Sequence, residues 1–282
     1  MNTIDSRLDR VEEKWLPDLF NSCKEVFKKT YLPSHNENHH SRVWLIAKNL
    51  IKELELVGYT FAISKIESVI LSVFFHDTGM LVNTGPDHGK YSREIAERYF
   101  ETLKSPMKER EEILTVIEKH DDKEYRNRTL EISQAPDSLF SILSVSDDLD
   151  AFGIIGIYRY AEIYLVRGVS FNDLTTKILE NSKNRYHYFI HVYGFLERFT
   201  AHQMIRYQIL QKFYSDLILQ QKTGGFQKKT GPSGVIQLIQ QLIAVQKLPI
   251  NEVFTEVQKQ AKDAYVLDFF RLLEKEMGSY KL

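Results

Sequence analysis

Apolar residues recur at spacings of three and four along nearly the whole chain, which is the period of an amphipathic helix. Leu8, Val11, Trp15, Leu16 and Leu19 form one such stripe near the N-terminus. Residues three and four apart share a helix face, so each stripe predicts a helix with one buried side. No convincing run of alternating apolar and polar residues indicates a β-strand. The pattern predicts an all-α fold with helices near residues 5–29, 39–57, 62–76, 88–103, 106–120, 137–151, 154–167, 171–182, 185–221, 233–247 and 250–277.

A change in composition divides the chain. The segment from Lys222 to Gly234 is glycine-rich and basic, which is typical of a flexible loop. Such a loop can also cradle a phosphate, but this one lacks the Gly-Lys-Ser/Thr order of a P-loop. We therefore predict a main domain over residues 1–221, a flexible loop over 222–234 and a C-terminal helical appendage over 235–282. The appendage is either an extra subdomain or the element through which two copies form a homodimer.

Charge and composition limit the partners of this chain. Its 282 residues carry a formal net charge of −1, so there is no strong signal for nucleic-acid binding. No segment approaches the roughly 20 continuous apolar residues of a membrane span, and the N-terminal residues are charged where a signal peptide is apolar. The lone Cys23 forms no internal disulfide. These features predict a cytoplasmic protein without a membrane partner.

The strongest chemical signal is a His-Asp pair at the end of an apolar helix. The apolar run 69–75 leads directly into His76 and Asp77, and Gly79 follows. Burying histidine and aspartate is costly unless something satisfies them, and a divalent cation does so directly. The alternative is that the two side chains hydrogen-bond to each other without a metal. Taken alone, the pair favours that alternative.

Two further motifs change this assessment. His39-His40-Ser41-Arg42-Val43 opens the preceding helix, and Asp147-Asp148-Leu149-Asp150 ends a later one. Together with Phe75-His76-Asp77-Thr78-Gly79, they resemble the HD superfamily of metal-dependent phosphohydrolases over roughly residues 30–170. That family has a histidine, then His-Asp, then a distant aspartate, all on helices. The resemblance implies an HD-domain helical bundle with additional C-terminal helices.

The same resemblance implies a ligand set. His39, His76, Asp77 and Asp147 would be the primary metal ligands, although a shorter form of the last motif would select Asp148 instead. Asp150 would orient a ligand or cap the next helix.

Two other histidines occupy the positions that complete a second metal site in HD proteins that bind two ions. These are His88 and His120, and Asp77 would bridge the ions. The resemblance thus implies two divalent metal ions per chain, of unknown identity among Mn, Fe, Zn, Ni, Co and Mg. The alternatives are a single metal ion, or helix capping by His88 and His120 without any metal. A charged histidine at a helix C-terminus, such as His120, gains from the helix dipole.

One histidine is a candidate catalyst. His35-Asn36-x-x-His39 is similar to the opening motif of cyclic nucleotide phosphodiesterases, in which the first histidine protonates the leaving oxygen. His35 is therefore a candidate general acid, alongside the catalytic role of Asp77. The chain lacks the His-Pro-rich segment that follows His-Asp in those enzymes, which leaves a simple loop histidine as the alternative. His40 is predicted to point away from His39 and to lie at the surface.

Candidate phosphate contacts lie in the second half. Arg159 has the planar donor fork that suits a phosphate, and Lys183 and Arg185 are weaker candidates for substrate binding. The alternative for Arg159 is an ion pair with Glu162 or another carboxylate. His187 and His191 are spaced to line a pocket, but the surrounding tyrosines favour a packed aromatic helix face.

These features predict a metal-dependent phosphohydrolase that cleaves a nucleotide or related phosphate ester by attack of a metal-activated water. Whether it is of phosphodiesterase or nucleotidase type is left open. One alternative is an HD-fold di-iron oxygenase. The other is a module that senses a nucleotide without turning it over.

Overall fold

The computed structural model describes residues 3–103, 107–122, 135–224 and 228–278. These residues form helices and no β-strand, which confirms the all-α prediction. A 3₁₀ turn lies at Thr78–Leu81, and a π-helix at Ile239–Val245. The α-helices are α1 (Ile4–Phe27), α2 (Glu37–Leu56), α3 (Ile63–Phe75), α4 (His88–Glu101), α5 (Arg110–Lys119), α6 (Leu139–Asp150), α7 (Gly153–Val166), α8 (Phe171–Tyr193), α9 (Glu197–Lys222), α10 (Gly231–Leu238), α11 (Ile250–Gln260) and α12 (Ala264–Gly278).

The first of two compact units contains the described residues up to Asp147 together with 189–199. Helix α3 is its centre and packs against α1, α2, α4 and α5. Its sequence explains this position, because the run from Val69 to Phe75 is apolar on all sides apart from Ser72, and every residue of that run is buried. The chain enters α3 from the surface and leaves it at His76 in the interior.

The second unit contains residues 148–188 and the described residues from Thr200 onward. Helix α7 packs against the π-helix and α12, and α12 also contacts α10 and α11. Among the described helices, none has both the length and the apolar content needed to cross a membrane.

Helix boundaries differ from the prediction in several places. The single helix expected at 250–277 is two helices, α11 and α12, separated by residues 261–263. A break was expected at residues 183–184, but α8 continues to Tyr193 and the break follows at 194–196. The single helix expected at 233–247 is α10 followed by the π-helix. The predicted loop ends early because α10 already begins at Gly231, with proline in its first turn, where that residue is favoured. Residues 225–227 of that loop lie outside the described residues, and the predicted division into three domains stays a prediction.

The corner between α6 and α7 is held by two side chains from later helices. Gly153 has a φ of 76°, and a Cβ there would meet Glu276 Oε1 at 2.6 Å. The Arg206 guanidinium donates to the carbonyls of Leu149 (2.8 Å) and Phe152 (2.9 Å). Glu276 Oε2 accepts from two amides, at 2.9 and 3.2 Å, in the first turn of α7. These bonds satisfy backbone groups that helix ends leave without a partner.

We expect Glu276→Ala to destabilise the protein by about 1–2 kcal/mol, because two amide donors lose a charged acceptor. For a unit of this size, that corresponds to a melting temperature lower by roughly 3–6 °C. Circular dichroism during heating measures the shift. Glu274→Ala is the matched control, since Glu274 is exposed on the same helix. Equal melting temperatures for the two variants would show that the corner does not depend on Glu276.

Candidate metal centre

The structure brings the six predicted metal ligands together in two groups. In each group, one ligand atom from every residue lies within 4.8 Å of the others, and all the residues are buried. Asp77 belongs to both groups. The first group is His39, His76, Asp77 and Asp147, and the second is Asp77, His88 and His120.

Helix ends position these side chains. His39 lies in the first turn of α2, which Asn36 caps by accepting from the amide of Asn38. His76 is the C-cap of α3, and the chain then turns at Asp77 into the 3₁₀ segment. The other three candidate ligands also lie at helix ends. His88 begins α4, His120 is the C-cap of α5, and Asp147 lies in the last turn of α6.

The Asp77 carboxylate divides its oxygens between the two groups. Its Oδ2 lies 3.4 Å from Nε2 of His39 and 3.5 Å from Nε2 of His76. Its Oδ1 lies 3.2 Å from Nε2 of both His88 and His120. Asp147 Oδ1 lies 3.5 and 3.7 Å from the two histidines of the first group. Neighbouring ligands with bonds of about 2.1 Å to one ion lie roughly 3.0–3.4 Å apart, so the spacing fits a shared cation.

Hydrogen bonds to the backbone fix the orientation of three imidazoles. Nδ1 of His76, His88 and His120 lies 2.8, 2.7 and 2.8 Å from the carbonyl oxygen three residues earlier. A carbonyl only accepts, so Nδ1 carries the proton and Nε2 of the neutral ring presents a lone pair to the cluster. Nε2 of His88 lies 3.2 Å from Nε2 of His120. Two lone pairs at that distance repel each other unless a positive charge lies between them, so the donor set fits divalent cations.

The electrostatics of Asp77 favour positive charge in the same place. Burial alone would raise the pKa of Asp77, but the charge of His76 and hydrogen bonds from the other histidines lower this pKa well below its usual value. Burial lowers the pKa of His88, yet the hydrogen bond and charge of Asp77 outweigh it and raise the pKa to about 9. The Asp77 carboxylate thus attracts either protons to the histidines or a cation among them.

The geometry separates the three aspartates of α6. Asp147 lies at the first group, whereas Asp148 Oδ1 lies 3.1 Å from Arg185 Nη1. Asp150 Oδ2 accepts from Arg159 Nη1 at 2.8 Å, so Arg159 is in an ion pair with a carboxylate other than Glu162. The spacing therefore favours Asp147 over Asp148 as the metal ligand.

The three candidate phosphate-binding residues differ in how exposed their side chains are. Arg159 is buried, Arg185 is largely buried beside the ring of Tyr160, and Lys183 is exposed on α8. Their predicted contacts with a phosphate stay predictions. The packing expected for His187 and His191 is wrong, because both side chains are exposed, whereas Tyr188 and Tyr193 of the aromatic face are buried as expected.

The two remaining histidines of the N-terminal motif are both buried. His35 Nδ1 lies 2.8 Å from Ser34 Oγ, and its ring centroid is 5.6 Å from that of His39. Its role as a general acid stays a prediction. The surface position predicted for His40 is wrong, because His40 is fully buried and its Nδ1 donates to the carbonyl of Val73 at 2.8 Å. Burial lowers the pKa of His40 well below its usual value, so the ring is neutral.

The spacing of apolar residues along α2 could have predicted that His40 is buried. His40 lies three and seven residues before Val43 and Ala47, two members of the buried stripe of α2. Extending that stripe toward the N-terminus would have placed His40 inside.

Comparison with known proteins agrees with this geometry. Residues 36–151 match the family model described as the HD domain, and all six candidate ligands lie in that segment. The match confirms the resemblance seen in the sequence motifs. No curated protein and no solved structure matches the chain significantly.

Proposed function

Because residues 36–151 match the HD domain and bring two ligand groups together around Asp77, we propose that the protein is a metal-dependent phosphohydrolase. It binds two divalent cations per chain and hydrolyses a phosphate ester of the nucleotide class. The observation that carries the proposal is the Asp77 carboxylate, which directs one oxygen toward the histidines of each group.

The residues of the chain have distinct roles in this proposal. Asp77 joins the two groups, and the backbone carbonyls bonded to Nδ1 of His76, His88 and His120 leave Nε2 of each ring, rather than Nδ1, to hold a metal ion, which these residues would bind. When bound, two divalent ions lower the pKa of water and neutralise phosphate oxygens.

His35 supplies the proton for the leaving oxygen. In its charged form the His35 ring carries a proton on both nitrogens, so Nδ1 donates to Ser34 Oγ and the Nε2 proton is the one passed to the leaving oxygen. The imidazolium, not the neutral ring, is the general acid in this proposal. His35 lies next to the first ligand group through its contact with His39.

The ligand types narrow the choice of metal. Four imidazoles and two carboxylates suit Mn, Fe, Co, Ni or Zn, whereas Mg prefers sites made of oxygen atoms. We therefore propose transition-metal ions. The exposed Lys183 and the paired Arg159 and Arg185 stay candidates for contact with the substrate phosphate.

Metal analysis combined with a substrate panel tests this function. Protein purified without added metal or chelator is expected to contain about two equivalents of transition metal, measured by elemental analysis. The loaded protein is expected to release product from at least one member of a panel of mononucleotides, cyclic nucleotides, dinucleotides and bis(p-nitrophenyl) phosphate. Chelation is expected to abolish the activity, and added metal to restore it.

Two results would contradict the proposal. One is the absence of bound metal even after incubation with Mn, Fe and Zn. The other is fully loaded protein that releases no product from the panel. In the second case, oxygen consumption that requires iron would identify an oxygenase, and nucleotide binding without turnover would identify a sensing module.

A further inference from the structure

Two glycines lie beside the second ligand group, and both are pressed against backbone. A Cβ added to Gly79 would meet the carbonyl oxygen of His88 at 2.0 Å and the amide of Ser92 at 2.5 Å. A Cβ added to Gly89 would meet the carbonyl oxygen of Glu118 at 2.3 Å. Such distances are far shorter than ordinary van der Waals contact, and backbone atoms have little freedom to give way.

These contacts join the three segments that carry the second group. Gly79 follows Asp77 by two residues, and its amide donates to Ser92 Oγ at 2.8 Å, which ties the 3₁₀ turn to α4. Gly89 directly follows His88 and touches α5 two residues before His120. Each glycine therefore sets the distance between two ligands of the second group.

Gly79 and Gly89 are required because there is no room for a Cβ, and not because of their backbone conformation. Neither Gly79 nor Gly89 has the positive φ that favours glycine. Gly89 lies in the first turn of α4, where alanine is intrinsically the better helix former. If the space were open, alanine at this position would be harmless or stabilising.

We infer that Gly79 and Gly89 are positioning residues for the second metal ion, and that the Gly89 contact controls its occupancy separately from that of the first ion. The inference rests on the proposed binuclear function. An alanine Cβ at position 89 forces α4 and α5 apart by about 1 Å to restore ordinary contact with Glu118. Metal–ligand distances tolerate only about 0.2 Å, so His88 and His120 no longer reach one ion together. His39 and Asp147 lie on α2 and α6, outside this contact.

Manganese binding to Gly89→Ala tests the inference. Wild-type protein loaded with Mn²⁺ is expected to hold two ions per chain and to give the electron paramagnetic resonance spectrum of a spin-coupled pair. Gly89→Ala is expected to hold one ion with an uncoupled spectrum, and its second Mn²⁺ to bind at least about 100-fold more weakly. His120→Ala, which removes a ligand without adding volume, is expected to give the same uncoupled spectrum.

Gly278→Ala is the matched control, because an added Cβ at this last residue of α12 meets no described atom within 4 Å. It is expected to keep the coupled pair. Melting of the metal-free proteins separates loss of a site from loss of folding. If Gly89→Ala does not fold, Ser92→Ala replaces it, since this variant removes the acceptor of the Gly79 amide and is expected to weaken the second Mn²⁺ about tenfold.

The possible failures are distinguishable. Two coupled ions in Gly89→Ala, or an unchanged second affinity in a folded Ser92→Ala, would overturn the role of the glycines and leave the proposed function intact. Wild-type protein that binds no Mn²⁺, Fe²⁺ or Zn²⁺ would overturn the proposed function itself.

Discussion

Asp77→Ala is expected to remove both metal ions and to lower the rate of phosphate-ester hydrolysis by about a thousandfold or more. Oδ1 faces His88 and His120, and Oδ2 faces the histidines of the first group, so among the described residues Asp77 alone belongs to both groups. Metal ions contribute several kcal/mol to the stabilisation of a phosphoryl transition state, and about 4 kcal/mol is a thousandfold in rate. Elemental analysis and initial rates with the best substrate of the panel measure the two effects.

Two comparisons make this result specific to Asp77. Asp9→Ala removes an exposed carboxylate from α1 and is expected to keep both the metal content and the rate of the wild type. His120→Ala is expected to lose the second ion alone. Asp77→Ala protein that folds and still holds two ions would show that Asp77 does not join the groups. Unchanged activity in that variant would remove Asp77 from the mechanism.

The local motifs were predictable because they combine ligand-type residues with apolar helices. The run 69–75 is apolar except for Ser72, so it is buried on every side, and His76 and Asp77 at its end lie in the interior with it. The convergence of all six residues, however, depends on packing between helices far apart in sequence, and only the family resemblance indicated it.

The break expected within α8 shows how tertiary contacts override local preference. The polar run around residues 180–185 favours a helix end when its propensities are considered alone. In the structure, the Asn181 amide donates to Tyr164, Ser182 accepts from Gln211, and Arg185 donates to Asn181. The Arg185–Asn181 bond is local, but Tyr164 and Gln211 lie on other helices, so the sequence of the segment alone does not indicate these two partners.

Close backbone contacts are equally hidden from the sequence. Gly89 looks like an ordinary glycine near a helix start, and nothing nearby in the chain indicates that Glu118 lies against it. The π-helix after α10 is a similar case, since its apolar sequence also suits an α-helix. Such features need the packed structure because each depends on a partner selected by the fold.

Asp147→Asn is expected to weaken metal binding, whereas Asp148→Asn is expected to lower the folding stability, although the two residues are adjacent. Asp147 Oδ1 lies near both histidines of the first group, so Asp147→Asn removes an anionic ligand. We expect the first metal ion to bind at least about 100-fold more weakly, with a corresponding fall in the hydrolysis rate. Asp148 is fully buried opposite Arg185 at 3.1 Å. Asp148→Asn removes the negative charge from this buried ion pair and is expected to cost about 2 kcal/mol of folding free energy while both metal ions remain bound.

Metal content and melting temperature, measured on the same two proteins, separate these roles. Asp147→Asn is expected to lose the first ion, whereas its metal-free form melts close to the metal-free wild type. Asp148→Asn is expected to keep two ions and to melt roughly 4–8 °C lower, because Arg185 is held in a largely buried position. The reverse pattern would make Asp148 the metal ligand and Asp147 the structural residue. Since each variant is the isosteric control for the other, a fall in metal content in only one of them assigns the ligand directly.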